Sequence, residues 1–189
     1  MTPEQKVLYG RFRSAMRSHR DRTNVGLLTI WDRLGAHDEA DVATFARSAT
    51  PILAGAKQIS VATSAAFYSY ILDLPRPPAV TAADVVLDPD LRRPFAAYWH
   101  GLAEGRPFAD ALGAGRSVAG HTGSDYLTSV SRRTGDAVAK TAGVETRWMR
   151  VAGPDACPWC MERDGGIYAT AEDGDFGHER DACDMVPTT

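Results

Sequence analysis

Three cysteines and one histidine near the end of the chain are spaced as ligands of a single metal ion. They follow the pattern Cys157-x2-Cys160-x17-His178-x4-Cys183 and include every cysteine of the chain. Two cysteines separated by two residues can bind one metal from a tight turn, and a second pair from a later segment completes a tetrahedron. Three thiolates and one imidazole suit zinc better than calcium or magnesium. Because four protein ligands leave no position for water, we expect a zinc ion that stabilises structure and does no chemistry.

Two other uses of these cysteines compete with zinc binding. Cys157 and Cys160 could form a redox dithiol, since a turn can lower the pKa of one thiol, but the sequence pattern lacks the strand–helix–strand unit typical of one. A disulfide would leave one cysteine over, and cytoplasmic conditions disfavour it. We favour zinc over both. Asp181 and Asp184 could each bond His178 or replace a ligand, and exposure in an acidic tail is at least as common an outcome for such residues.

The composition is that of an ordinary globular protein with unevenly distributed charge. The chain has 189 residues, of which 44% are hydrophobic, enough for one core and a small appended module. No apolar run is long enough to span a bilayer and no leader-like segment opens the chain, so we expect a soluble, unsecreted protein with no membrane partner. The net charge of -3 divides into about +4 over residues 1–33 and -7 over residues 153–189.

Apolar periodicity ahead of the cysteines predicts long amphipathic helices. Thr2 and Gln5 form a capping box at the first helix start, with Pro3 between them. The apolar pattern lapses over residues 17–24 before a second apolar set begins at Leu27. A new helix is predicted to begin at Asp38, with a core-facing stripe over residues 42–71 that Pro51 should kink or divide.

Further helices are predicted at residues 91–102, 108–114 and 124–142, and the glycine-rich residues 113–123 fit a loop or a loosely packed helix. Alternation over residues 146–151 predicts a strand, with Trp148 in the core, and residues 167–169 a second strand. We therefore predict a mostly α fold, a helical body followed by a small, β-hairpin-like, zinc-binding module. The predicted regions are an N-terminal long-helix region (1–74), a Pro-rich hinge (75–86), a second helical region (87–142) and the zinc-binding module (143–189).

The C-terminal residues resemble a known protein family. The segment 147–151, the Cys157-Pro-Trp-Cys160 pair, the lone His178, the late Cys183 and the Val-Pro end at 186–187 are similar to the C-terminal part of phage Mu F-like minor head proteins. The pattern resembles the version found in phages of actinobacteria, and the resemblance covers about the last 45 residues. That family ends in His-x2-Cys-x-Cys, and Asp181 stands where its first cysteine falls, while the other four positions match.

The resemblance implies a structural or assembly protein of a tailed bacteriophage. Such proteins lie inside the capsid near the portal and assist head morphogenesis or DNA packaging and delivery. The expected partners are the portal protein or the capsid interior, with several copies around the portal. The protein would be made in the host cytoplasm and reside in the virion.

An alternative is a capsid maturation protease, which needs a nucleophile beside a positioned base. His121, Ser124 and Asp125 are the nearest candidates, but such polar clusters more often satisfy backbone groups in loops. We therefore predict no enzymatic activity. The remaining histidines ahead of the cysteine region are expected at the surface or at helix ends, namely His19, His37 and His100.

A second alternative is a zinc-stabilised DNA-binding protein. The acidic C-terminal end would repel phosphate, so a DNA contact would fall on the basic N-terminal helix. Spacings of three and four residues place Arg13, Arg17 and Arg20 on one helical face. These arginines are candidate contacts to packaged DNA or to protein, although a solvated helix face is the commoner outcome for such a run.

Overall fold

The computed structural model of the protein describes residues 2–152, 156, 158–171, 173 and 184–188. Its long helices are α1 (Pro3–Trp31), α2 (Glu39–Ile71), α3 (Arg93–Ala103) and α4 (Phe108–Ala142). They are followed by β1 (Arg147–Val151), the short helix α5 (Pro158–Met161), β2 (Ile167–Tyr168) and β3 (Asp184–Thr188). The prediction of a mostly helical chain with a small C-terminal β structure is confirmed. Within the described residues, no helix combines the length and the apolar character that a membrane span requires.

The predicted starts of the first two long helices are confirmed by their hydrogen bonds. The backbone N–H of Thr2 donates to Oε1 of Gln5 at 2.8 Å, and the backbone N–H of Gln5 donates to the Thr2 hydroxyl at 3.2 Å. Asp38 accepts from the backbone N–H groups of Ala40 and Asp41 at 2.9 and 3.1 Å. Both caps satisfy backbone donors that a helix start leaves without partners inside the helix.

Helix α1 runs without a break through residues 17–24, where the apolar pattern lapses. The buried stripe continues there through polar side chains that have partners inside the protein. His19 is buried and its Nε2 lies 2.9 Å from the carbonyl oxygen of Ala56. The Thr23 hydroxyl, also buried, donates to the His19 carbonyl oxygen at 2.9 Å. The prediction of a surface or helix-end position for His19 is therefore wrong, because a hydrogen bond within the core compensates its burial.

Helix α2 continues through Pro51, so of the two predicted effects of this proline, a kink or a division, the division is wrong. Pro51 is exposed, while the neighbouring Ala49 and Leu53 are buried and hold this segment against the core. The predicted stripe is confirmed as far as Ala56 and then drifts, leaving Ile59 56% exposed. The positions buried instead include serines and further apolar residues, among them Ser60, Val61, Ser64, Ala65 and Tyr68.

The glycine-rich residues 113–123 form a tightly packed part of helix α4. An added Cβ at Gly115 would lie 2.7 Å from Cζ2 of Trp31, and one at Gly123 would lie 2.6 Å from Oδ1 of Asn24. Helices α1 and α4 therefore approach at positions where a larger residue does not fit. Just beyond Gly115, Arg116 bonds the Asp32 carboxylate through Nε and Nη2, each at 2.8 Å, which holds the pKa of Asp32 below its usual value.

The chain divides into two compact units, each built from separated segments. Unit 1 comprises Met1–Tyr9, Val61–Val85 and Ser131–Thr189, and unit 2 comprises Gly10–Ser60 and Val86–Val130. The core of unit 2 is aromatic: Trp31 contacts Phe45 edge-on at 6.1 Å and Phe95 at 4.9 Å between ring centroids. His37 lies two residues before helix α2, so its predicted helix-end position is confirmed, whereas the surface alternative is wrong because it is buried with its ring 4.6 Å from Trp31. His100 is exposed as expected, 3.1 Å from Glu104.

In unit 1, hydroxyl groups and one tryptophan join helices α2 and α4 to the sheet. The Ser131 hydroxyl lies 2.8 Å from that of Ser64 and 3.0 Å from that of Tyr68, and all three residues are buried. Each of these polar groups therefore has an internal partner. Trp148, in the core as predicted, packs edge-on against the Tyr68 ring at 6.0 Å. An added Cβ on Gly135 would lie 2.5 Å from Cη2 of Trp148, so the indole lies directly against α4.

The C-terminal strands form a three-stranded antiparallel sheet in the order β2-β1-β3, rather than the predicted hairpin-like pair. Strand β3, which the sequence analysis did not predict, pairs with β1 from Arg147↔Thr188 to Val151↔Asp184. Its residue Pro187 is tolerated because β3 is an edge strand of this sheet. The short β2 pairs on the other side, with Trp148 opposite Tyr168.

Candidate metal centre

Strand β1 directs one aromatic and one charged side chain, Trp148 and Arg150, into the core. Its burial alternates along the strand, with Arg147 exposed, Trp148 and Arg150 almost completely buried, and Met149 between them half-buried. Successive side chains of a strand point to opposite faces, so Trp148 and Arg150 share the inner face. Arg150, 1% exposed, therefore lies on the same face as Trp148, which packs in an apolar cluster with Ala171 and Met185.

The chain between β1 and β2 is tied back to β1 by backbone hydrogen bonds. The Arg150 backbone N–H donates to the Gly166 carbonyl oxygen and the Gly165 N–H donates to the Arg150 carbonyl oxygen, both at 2.9 Å. Gly165 has φ +79°, a conformation that side-chain-bearing residues rarely adopt. Asp164 accepts from the backbone N–H of Ala152 at 2.8 Å. These bonds position the single turn of α5, which contains Cys160.

Cys160 is completely buried beside the Arg150 guanidinium. Nη2 of Arg150 donates to Sγ of Cys160 at 3.6 Å, and the thiol-bearing residue is 0% exposed. A buried guanidinium is stabilised by a negatively charged neighbour. This sulfur therefore has a charged hydrogen-bond donor beside it and no access to solvent.

Trp159 lies between two arginines. It is half-buried, and the Arg163 guanidinium carbon lies 3.9 Å from its ring centroid. The Arg163 side chain also donates to the Trp159 carbonyl oxygen at 3.1 Å, and Arg150 lies 5.8 Å from the same ring. Both distances fall within the range of cation–π attraction. Two positive charges therefore flank the turn that contains Cys160.

Of the predicted metal ligands, Cys160 is the one within the described residues. Cys157, His178 and Cys183 lie outside them, as does Asp181, the possible substitute ligand. Among the residues that the structure describes, no group of three or more His, Cys, Asp or Glu side chains is placed to hold a metal. Asp184, the other acid considered beside the ligands, accepts a hydrogen bond from the Tyr9 hydroxyl at 3.0 Å. The four-ligand site stays a prediction, and Cys160 is the part of it with a described environment.

The residues considered for proteolysis lie in the middle of helix α4. Ser124 accepts a hydrogen bond from Nδ2 of Asn24 at 2.6 Å, and its backbone N–H donates to Oδ1 of the same side chain at 3.1 Å. His121 is exposed, and Asp125 pairs with Arg93 at 2.9 Å. In this arrangement the Ser124 hydroxyl joins α4 to α1, and the Asp125 carboxylate is paired with an arginine.

A small cavity of about 160 Å³ adjoins Asp125 in unit 2. Its lining includes Asp88, Arg93 and Tyr126. Burial raises the pKa of Tyr126, with a further contribution from the charge of Asp88. The Tyr126 phenol therefore stays protonated and donates to the Leu87 carbonyl oxygen at 3.5 Å. The cavity is small for a ligand pocket, most of which are about 300 Å³ or larger.

The three arginines proposed as a contact face differ in exposure. Arg17 is exposed on α1, whereas Arg13 and Arg20 are half-buried at the margin of the helix core. All three make interactions within the protein. The three arginines therefore do not contribute equally to a cationic face on α1.

Comparison with protein families decides what kind of protein this is. The VG15 protein family matches the chain over residues 3–189, which includes all the helices and the C-terminal sheet. The chain belongs to the VG15 family. This is a viral, bacteriophage-type family, so the membership agrees with the phage origin that the C-terminal motif implied. Neither curated proteins nor solved structures provided a match.

Arg150 of this VG15 family member was not among the residues predicted from the sequence to take part in the site. Its signal was present in the alternation of residues 147–151, which places Arg150 on the same face as Trp148. A charged residue on the inner face of a strand is unusual enough to indicate a partner. The contact with Cys160 connects residues 10 positions apart through the β1–α5 turn, which spacing alone did not predict.

Proposed function

We propose that this VG15 family member is a structural protein of a tailed-bacteriophage head. It associates with the portal inside the capsid, in several copies around it, and assists head assembly or DNA packaging and delivery. The observation that carries the proposal is membership of a viral family over nearly the whole chain, joined to the C-terminal Cys/His motif that resembles Mu F-like minor head proteins. The long helices and the sheet fit a scaffold for protein contacts.

The proposal includes a structural zinc held by Cys157, Cys160, His178 and Cys183. Cys160, the candidate ligand within the described residues, supports it, because its buried sulfur accepts a hydrogen bond from the Arg150 guanidinium. The apolar cluster that the structure describes at the sheet is small and contains Trp148, Ala171 and Met185. When bound, zinc would supply cross-links between the α5 turn and the later ligand segment, and its binding free energy would stabilise the module.

Purified protein is expected to contain close to one zinc ion per chain. Elemental analysis after gel filtration measures the metal, and Cys160→Ser is expected to lose most of it because one of four ligands is removed. Met161→Ala is the matched control, since Met161 is the next residue of α5 and is 54% exposed. Wild-type protein that stays zinc-free after unfolding and refolding with excess zinc would contradict the metal site.

The proposal assigns no catalytic activity. The hydrogen bond that Nδ2 of Asn24 donates to the Ser124 hydroxyl gives this hydroxyl a structural partner on a second helix. A serine nucleophile needs a base positioned against that hydroxyl. These contacts favour a structural role for the candidate residues over a maturation protease.

Protein is the favoured neighbour of helix α1, with DNA as the second candidate. Arg17 supplies an exposed positive charge, and Arg11 and Arg22 are also exposed on α1. Phosphate contacts by such residues would release counterions and would weaken as salt rises. The partial burial of Arg13 and Arg20 reduces the charge available to a phosphate backbone and leaves portal or capsid protein as the simpler partner.

In virions, the protein is expected to be inside the head and bound to the portal. Intact particles treated with protease should protect it, and opened particles should expose it, by quantitative mass spectrometry. Cross-linking in intact heads should then join its lysines to the portal protein. The major capsid protein in the same digest is the control for particle integrity. Absence of the protein from purified virions, or digestion in intact particles, would contradict the proposed location.

A further inference from the structure

Arg150 is a cation held inside unit 1 by the strand that bears it. Its backbone is fixed on both sides, by the bonds to Gly165 and Gly166 and by pairing with Met185 of β3. The side chain is directed into the core and not to solvent, since Arg150 is only 1% exposed. Burial of a guanidinium destabilises the fold unless hydrogen bonds and negative charge compensate it. The Cys160 sulfur, also fully buried, is one of its partners at 3.6 Å.

The proposed metal site would carry a negative charge that the Arg150 guanidinium can offset. Three thiolates and a neutral imidazole around Zn²⁺ leave a net charge of about -1. The segment that contains the site is itself acidic, with a formal charge of about -7 over residues 153–189. An anionic centre in such surroundings is stabilised by a nearby buried cation, because the attraction between charges is stronger away from water.

We propose that the Arg150 guanidinium supports the zinc site without binding the metal. It offsets the negative charge of the site and positions Cys160 through a hydrogen bond to its sulfur. This inference rests on the proposed zinc. A donor to a coordinating sulfur fixes its orientation and withdraws charge from it, and removal of such outer-shell groups typically weakens metal binding about 10–100-fold. Arg150 acts through Cys160, so it is a positioning residue and not a ligand.

The test compares variants of the full chain that differ in charge at this position. Arg150→Met and Arg150→Gln remove the charge, Arg150→Lys keeps it, and Arg147→Met is the control on the exposed face of the same strand. Competition with a chromophoric chelator measures zinc affinity, and the sulfur-to-metal charge-transfer band of the cobalt(II) form reports on the thiolates. The neutral variants are expected to bind zinc about 10–100-fold more weakly and to shift this band. Arg150→Lys should recover most of the affinity, and Arg147→Met should match wild type.

The outcomes separate this inference from the zinc proposal. Wild-type protein without zinc overturns both. Zinc in the wild type, with unchanged affinity and an unchanged cobalt band in Arg150→Met, overturns the role of Arg150 alone. An Arg150→Lys protein as weak as Arg150→Met shows that charge is not what Arg150 supplies, and also overturns it. If both neutral variants lose their helical circular dichroism at saturating zinc, Arg150 belongs to the folding core and the proposal falls.

Discussion

Replacement of Trp148 by alanine is expected to lower the free energy of unfolding by about 3–5 kcal/mol, as for other fully buried aromatic residues. The indole is 1% exposed and forms one cluster with Ala171 and Met185. It also packs against Tyr68 and lies directly on Gly135 of α4. Its removal leaves a cavity where the sheet meets α2 and α4, since the backbone around it is paired on both sides and cannot collapse freely. Urea denaturation followed by circular dichroism measures the loss.

The matched control for Trp148→Ala is Ile167→Ala in the same sheet. Ile167 pairs with Met149 in the neighbouring strand but is 50% exposed, so its truncation is expected to lower the free energy of unfolding by less than about 1 kcal/mol. Trp148→Phe should fall between the two, because it keeps a ring against Tyr68. Equal losses for Trp148→Ala and Ile167→Ala would contradict the role of Trp148 as the contact between sheet and helices.

Two glycines of helix α4, two residues apart, are expected to respond in opposite directions to the same substitution. Gly115→Ala should lower the free energy of unfolding by about 2 kcal/mol, because the new Cβ would lie 2.7 Å from Trp31 and 2.9 Å from the Pro94 carbonyl oxygen. Gly113→Ala should raise it by about 0.5–1 kcal/mol, since alanine favours the helix and nothing lies within 4 Å of the added atom.

This pair separates packing from helix propensity, because both positions lie in the helix and receive the same methyl group. Urea denaturation of the two variants beside wild type provides the measurement. A stabilising Gly115→Ala would show that α1 and α4 do not approach as closely as the structure places them. A destabilising Gly113→Ala would show that the segment around it is not helical in solution.

Local interactions explain which elements could be predicted from the sequence. The caps at Thr2 and Asp38 use side chains within three residues of the backbone groups they bond, so their pattern is visible in the chain. The strand at residues 147–151 and the apolar stripe of α2 as far as Ala56 follow from periodicity alone. The predicted Cys/His ligand set likewise depends on spacing, and the family match supports the phage origin that its pattern implied.

Contacts between distant segments decided the rest. Polar His19 lies in the core because its Nε2 forms a hydrogen bond with the carbonyl oxygen of Ala56, 37 residues away. Glycines that favour a loop in isolation form helix in α4 because α1 packs where their missing side chains leave room. Strand β3 forms because its backbone pairs with the free edge of β1. Arg150 contacts Cys160 because the turn between β1 and β2 brings the two residues together. Periodicity and spacing report the preferences of neighbouring residues, whereas burial, satisfaction of polar groups and close helix approach depend on partners that the fold alone brings together.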